Sequence, residues 1–231
     1  MYEIIDLSQE LFPDMPVFKG MPKFDIHIHA THEQWNKEEL PSTVTPSVYK
    51  LTLGEHTGTH VDAFNHMGKE FVGQSIDTMP LSMFYTEGIC LDFSHKTLLE
   101  LIEPDEIAQA CIIANVEIKP GDTVLFYTDH YRKNYLSHLW GNGPGISAAS
   151  AIWLGEKNIA AFGVETMSPG ISGVSNRDVH QICGEMAFTH YENLINLHLL
   201  VGRGRFQFVA LPLKIRGGTG SPVRAIAVFQ N

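Results

Sequence analysis

Within the eleven residues His56-Thr-Gly-Thr-His60-Val-Asp62-Ala-Phe-Asn-His66, three imidazoles and a carboxylate all fall at even-numbered positions. On a straight strand the four would share one face. Seven extended residues span roughly 20 Å, however, whereas the ligand atoms of one ion sit about 2 Å from it. A helix stacks His56 over His60 but turns Asp62 away. The run therefore predicts a strand end that bends. Gly58 supplies the backbone freedom, and Thr57 and Thr59 disfavour a helix. Two imidazoles and a carboxylate suit Zn²⁺, Mn²⁺ or Fe²⁺. A catalytic site keeps three protein ligands and an open position for water, and Asp62 can bridge two ions. Single histidines are usually structural; three interleaved with Asp and Gly point to a metal.

Composition narrows the rest. The 231 residues contain no repeat or low-complexity linker, so a single domain over 1–231 is expected. Apolar residues at 44% and charged residues at 18% are ordinary for a chain with a sizeable core. A net charge of −10 repels phosphate backbones and anionic lipid, which argues against nucleic-acid and membrane partners. Cys90, Cys111 and Cys183 form no CxxC pair and read as buried free thiols, in keeping with a reducing compartment. Neither a signal peptide nor an apolar run long enough to span a bilayer is evident, so a cytoplasmic location is the expectation.

Periodicity predicts a mixed α/β fold. Strands are expected at Tyr2–Ile5, Phe24–Ala30, Ser47–Leu53, Glu87–Phe93, Thr123–Tyr127, Ile159–Val164, Phe206–Leu213 and Val223–Phe229, with an irregular proline-rich loop at Pro13–Lys23. Helices are expected from Glu103-Pro104 onward, over Ser147–Lys157, and over Asn176–Met186 with Asn176 as cap.

The histidine run resembles the HxGTHxDxPxH signature of the cyclase family of metal-dependent hydrolases, to which bacterial kynurenine formamidases and isatin hydrolases belong. The segment Glu192-Asn-Leu-Ile-Asn-Leu and the ending Ala210-Leu-Pro-Leu-Lys-Ile-Arg-Gly-Gly-Thr-Gly-Ser-Pro-Val-Arg-Ala-Ile-Ala are similar to that family as well, so the likeness covers about Asp6 to Phe229. It implies a single α/β domain with a mixed sheet, barrel-like or of the swivelling β/β/α type, with helices packed around the sheet. It implies one or two divalent ions, zinc first and manganese second, held by His56, His60, Asp62, His180 and Glu192. His66 matches the histidine assigned to proton transfer. It also implies a homodimer or homotetramer. Two positions depart: Phe64 stands where the signature has proline, and Phe18 where formamidases have tryptophan. Both lie where substrate is expected.

The function that follows is hydrolysis of a small-molecule amide, formamide or cyclic amide or lactone at its carbonyl by metal-activated water, arylformamidase-like, with His66 as the acid/base group. The alternatives are an isatin- or lactone-type ring hydrolase, or a non-catalytic metal or small-molecule binding protein. A serine hydrolase lacks support, since no GxSxG elbow occurs. Phe71 and His130 are weaker site candidates. His27, His29 and His32 read as solvent-facing, and Arg203, Arg205, Arg216 and Arg224 as residues for a substrate carboxylate or a subunit interface.

Overall fold

Two kinds of strand separate in the computed structural model, which describes residues 1–35 and 45–230. In chain order the strands are β1 (Tyr2–Asp6), β2 (Asp25–Ala30), β3 (Val48–Thr52), β4 (His60–Asp62), β5 (Tyr85–Asp92), β6 (Leu101–Ile102), β7 (Thr123–Tyr127), β8 (Gly145–Ile146), β9 (Ala161–Val164), β10 (Thr189–Glu192), β11 (Phe206–Val209), β12 (Gly220–Pro222) and β13 (Ile226–Gln230). The α-helices are α1 (His32–Trp35), α2 (Phe64–Met67), α3 (Pro104–Ala114), α4 (His130–Asn134), α5 (Ala148–Glu156) and α6 (Asn176–Glu185).

Nine strands make one sheet in the order β1-β13-β11-β5-β7-β9-β10-β4-β12. Its middle, β5-β7-β9-β10, is parallel, and both flanks are antiparallel. Parallel neighbours need crossover connections, and α3, α5 and α6 lie within those three crossovers. Strands covered on both faces lose their alternation; all five residues of β7, Thr-Val-Leu-Phe-Tyr, are buried. The sheet curls into a half-barrel with helices against it, the mixed α/β domain expected. Ile107 of α3 and Leu154 of α5 are fully buried in one cluster with Leu91, Phe126 and Phe162. Each such side chain stabilises the fold by about 1.5–3 kcal/mol.

Helix starts follow their signals with one correction. Glu103 and Glu106 form a reciprocal capping box ahead of α3, with Pro104 in its first turn. Ser147 caps α5 by accepting from the Ser150 amide at 3.1 Å. Asn176 does not cap α6; it is the first helical residue, and Ser175 occupies the cap position. Both side chains serve the preceding loop instead. Asn176 Oδ1 accepts from the Gly170 amide at 3.3 Å, and Ser175 Oγ accepts from the Ile171 amide at 3.0 Å.

Two strands of the main sheet went unanticipated, as did the short pair β6 and β8. β12 pairs with β4 directly after the glycine turn, and β10 pairs with both β9 and β4. The runs at Phe24–Ala30 and Ser47–Leu53 do form strands, but outside the main sheet. β2 and β3 pair only with each other, and every residue of β3 is exposed. Among the described residues no helix is long and apolar enough to cross a membrane.

Candidate metal centre

The bend expected at Gly58 is present. A turn carries His56, the chain then enters β4 at His60, and after Asp62 it folds into the single-turn helix α2 that carries His66. Gly58 sits at φ +63°, and a Cβ there would lie 2.5 Å from Leu11 Cδ2. Left-handed backbone costs a non-glycine residue about 1–2 kcal/mol, and the clash adds to it. Gly58→Ala is therefore expected to melt at a lower temperature and to bind less metal. Thermal denaturation with elemental analysis checks this, and unchanged values for both would contradict the pivot.

Pairing of β4 with β10 brings distant residues together. Glu192 lies directly opposite His60, so both side chains leave the sheet on one face. Asp62 and His190, each two residues further along, leave on that same face. His190 Nε2 lies 3.2 Å from Asp62 Oδ2 and 3.4 Å from Glu192 Oε1. His60 Nε2 lies 3.5 Å from Asp62 Oδ1 and 3.5 Å from Glu192 Oε2. From α6, His180 Nε2 stands 3.5 Å from Asp62 Oδ2. His56 Nδ1 meets Asp62 Oδ1 at 2.7 Å, and His66 Nε2 lies 3.7 Å from Asp62 Oδ2. Two ligand groups result, Asp62-His180-His190-Glu192 and His56-Asp62-His66, with Asp62 common to both.

Hydrogen bonds fix several protons. The Gly58 carbonyl can only accept, so His60 carries its proton on Nδ1, 2.8 Å from that oxygen, and turns its Nε2 lone pair inward. His180 does the same through the Asn176 carbonyl at 2.7 Å. His56 differs. Its Nδ1 faces the Asp62 carboxylate, while its Nε2 faces Thr219 Oγ1, whose own hydrogen goes to Glu55 Oε2. Both ring nitrogens therefore face acceptors, an arrangement that favours the protonated ring while no cation competes for Nδ1. Burial opposes that charge, but the Asp62 hydrogen bond and carboxylate outweigh it and raise the pKa.

Burial governs the other groups. It lowers His60 and His190 to about 4, leaving both neutral at pH 7. It also lowers His66, against the pull of Asp62. Burial opposes ionisation of Asp62 as well, but the surrounding imidazoles, His190 foremost, hold it well below the usual carboxylate range. Burial and the Asp62 charge push Glu192 up.

This donor set fits a divalent cation. Both ring nitrogens of the wholly buried His190 lack a hydrogen-bond partner, and a buried polar group without one is costly. Neutral imidazoles beside an ionised carboxylate are the donors such an ion requires.

Every ligand expected from the sequence borders this point. Phe18 lines the cleft above it, together with Pro16, Val17, Met21, Met167 and Asn193. Phe64 does not line the cleft; α2 turns it into the hydrophobic core. Phe71 packs against that core too. His130 is buried and stacked on Trp140, with ring centroids 5.1 Å apart. His27, His29 and His32 are exposed on or beside the β2–β3 hairpin. Arg203, Arg205 and Arg224 pair with Glu3, with Glu87 and Asp122, and with Asp6, and Arg216 is exposed. Sequence reasoning missed His190, although His190-Tyr-Glu192 has the two-residue spacing that puts both side chains on one face.

Glu165, just past β9, ties that strand to the turn between β7 and α4. Its Oε2 accepts from the Thr128 amide and hydroxyl and from the His130 amide at 2.9, 2.8 and 3.1 Å. Burial raises its pKa from 4.5 to about 7. The folded value lies above the unfolded one, so this stabilising contribution is complete below pH 4.5 and is lost as pH rises through 7. It amounts to about 3 kcal/mol. Glu165→Gln is expected to shrink the fall in melting temperature between pH 5 and pH 8, measured by calorimetry. An identical fall in both proteins would contradict it.

Imidazoles and carboxylates converging beneath an apolar-walled cleft on this sheet define a metal-dependent hydrolase. The chain belongs to the Cyclase family, whose profile matches residues 5–170. It is similar to the kynurenine formamidase of Bacillus cereus (strain ZK / E33L), with 29% identity over 97% of this chain and 96% of that protein. Isatin hydrolase A from Ralstonia solanacearum superposes with TM-score 0.84 and 28% identity, covering 99% of this chain and 92% of that one. Isatin hydrolase A from Labrenzia aggregata, solved bound to benzyl benzoate, gives TM-score 0.85 and 25% identity over 100% and 94%.

Proposed function

We propose that the chain hydrolyses a carbonyl–nitrogen bond in a small aromatic amide, either an arylformamide or a cyclic aryl amide, using a divalent ion held around Asp62. The observation that carries this reading is the convergence of His56, His60, His180, His190 and Glu192 on Asp62, under a wall that includes Phe18, Met21 and Met167. Relatives are named for kynurenine formamidase and isatin hydrolase, and a neighbour of the same fold is solved with benzyl benzoate; kynurenine, isatin and benzyl benzoate are all aromatic compounds.

Zinc suits a set rich in imidazole, with manganese as the alternative, in one or two sites that share Asp62. Such an ion supplies Lewis-acid polarisation of the carbonyl and lowers the pKa of a water. The protein's own groups do the rest. Glu192, His180, His190 and His60 would hold and orient the ion. Asp62 spans both halves of the cluster. Neutral His66, half-exposed at the mouth, takes a proton from the attacking water and returns it to the leaving nitrogen. Phe18 and Met21 offer a flat apolar surface to the ring. The working form is a homodimer or homotetramer in the cytoplasm.

Metal-stripped protein reconstituted with one ion at a time, then offered N-formyl anilines, cyclic aryl amides and aryl lactones, tests this reading. Turnover of an amide with zinc or manganese, abolished by chelator, is the expected result. Activity that survives the chelator would sink the metal reading, and silence across all three classes would favour a binding protein.

A further inference from the structure

The turn Gly217-Gly-Thr-Gly220, which leads into β12, is shaped around two side chains from the loop between β3 and β4. A Cβ at Gly218 would stand 2.6 Å from Glu55 Oε1, and one at Gly220 would stand 2.7 Å from His56 Cε1. Non-bonded carbon atoms settle at about 3.5–4.0 Å. A larger residue at either position would therefore push the carboxylate or the imidazole aside.

Thr219 stands between these two glycines. Its amide donates to Glu55 Oε2 at 3.1 Å, and its hydroxyl donates to the same oxygen at 2.6 Å. Backbone bonds hold the turn in place. The Thr219 carbonyl accepts from the Ala63 amide at 2.9 Å, and the Gly218 carbonyl accepts from the Ile76 amide at 3.0 Å. Gly220 pairs with Asp62 across β12 and β4.

A hydroxyl has one hydrogen to give. With that hydrogen committed to Glu55, Thr219 Oγ1 can only accept from His56 Nε2, 3.0 Å away and 163 residues distant in sequence. The ring then keeps a proton on Nε2 and leaves Nδ1, the nitrogen beside Asp62 Oδ1, for an ion. His60 and His180 are set the opposite way, because the Gly58 and Asn176 carbonyls take their Nδ1 protons. A carbonyl can dictate only that outcome. A lone hydroxyl could turn to donate or accept, and Glu55 decides which.

We infer that Glu55 and Thr219 are positioning residues for the metal centre: the carboxylate orients the hydroxyl, and the hydroxyl keeps the His56 proton on Nε2 so that Nδ1 faces the ion. Metal-binding histidines commonly give their other N–H to a carboxylate, a carbonyl or water. Here the carboxylate acts through an interposed threonine. The inference rests on the metal reading of the site and not on the identity of the substrate.

Competition for zinc between the full chain and a chromogenic chelator, at one fixed pH, tests it. Thr219→Val keeps the side-chain shape and removes the hydroxyl. Its zinc affinity should fall by about 10–100-fold, with the circular dichroism of the metal-free protein unchanged. Thr219→Ser returns the hydroxyl and should bind zinc as wild type does. Glu55→Gln should weaken zinc binding in the wild-type background and do so much less in the Thr219→Val background, since its effect passes through the hydroxyl. The wild-type protein supplies a test without any variant. Long-range proton–nitrogen NMR spectra of the zinc-loaded chain should place the His56 proton on Nε2 and those of His60 and His180 on Nδ1.

A Thr219→Val protein with wild-type zinc affinity would overturn the inference. So would a Thr219→Ser protein as weak as Thr219→Val, a Glu55→Gln effect equal in both backgrounds, or a His56 proton found on Nδ1. Each of those results leaves the metal reading standing. Wild-type protein that takes up no zinc would overturn both together.

Discussion

Asp62→Asn is expected to abolish stoichiometric metal binding and to slow hydrolysis by roughly 10³-fold or more, since a Lewis acid contributes several kcal/mol to the barrier and each 1.36 kcal/mol is tenfold. No other side chain is so central. Its Oδ1 meets His56 at 2.7 Å and His60 at 3.5 Å, and its Oδ2 meets His190, His180 and His66 at 3.2, 3.5 and 3.7 Å. The asparagine is nearly isosteric, so packing around this buried position is preserved. What changes is charge and donor pattern. The amide keeps one acceptor and points an NH₂ at imidazole lone pairs that an ion would otherwise use. The His56 pKa should fall as well, since the Asp62 hydrogen bond and charge are what raise it. Elemental analysis and turnover rates measure the two losses. A variant with full metal content and a near-normal rate would remove Asp62 from the centre of the site.

His66→Ala should separate catalysis from binding. Loss of a positioned acid/base group slows a reaction by about 10²–10⁴-fold, and a rate reduced by roughly 10²-fold with full metal content is the expected outcome. His66 is the most accessible of the clustered imidazoles, its side chain 29% exposed, and it has the longest contact with Asp62. Its ring lies 4.1 Å from that of His56, centroid to centroid. It therefore sits where the cleft opens and a substrate arrives. Burial lowers its pKa, so at pH 7 it is a base able to accept a proton. Metal lost along with activity would make His66 a ligand, as its grouping with His56 and Asp62 allows.

The parts of the site legible in the sequence were those whose logic is local. The impossibility of a straight strand or helix through His56 and Asp62 forced a bend, and Gly58 at φ +63° makes it. His180 and Glu192 came only through family resemblance, because nothing within their own segments links them to residue 62. His190 escaped altogether. Its strand is four residues long, and its site-facing positions are polar, so the apolar alternation that reveals strands is absent there. Phe64 was expected in the cleft and is buried in the core. In a one-turn helix, rotation about the axis is set by tertiary packing, here against α6, and no periodicity exists to read it from. The hairpin strands were legible as strands. That they stand off the main sheet was not, since pairing partners are chosen by the whole fold.

The contact between β4 and β10 joins points far apart along the chain: the Thr189 hydroxyl donates to the Asp62 carbonyl at 2.6 Å across 127 residues. A cation bound to Asp62, His180, His190 and Glu192 would work as a clasp on a very long loop, in the manner of a crosslink that restricts the unfolded ensemble. Cells starved of the ion would then be expected to accumulate less of this protein, through faster turnover of opened molecules, before any shortage shows as idle enzyme.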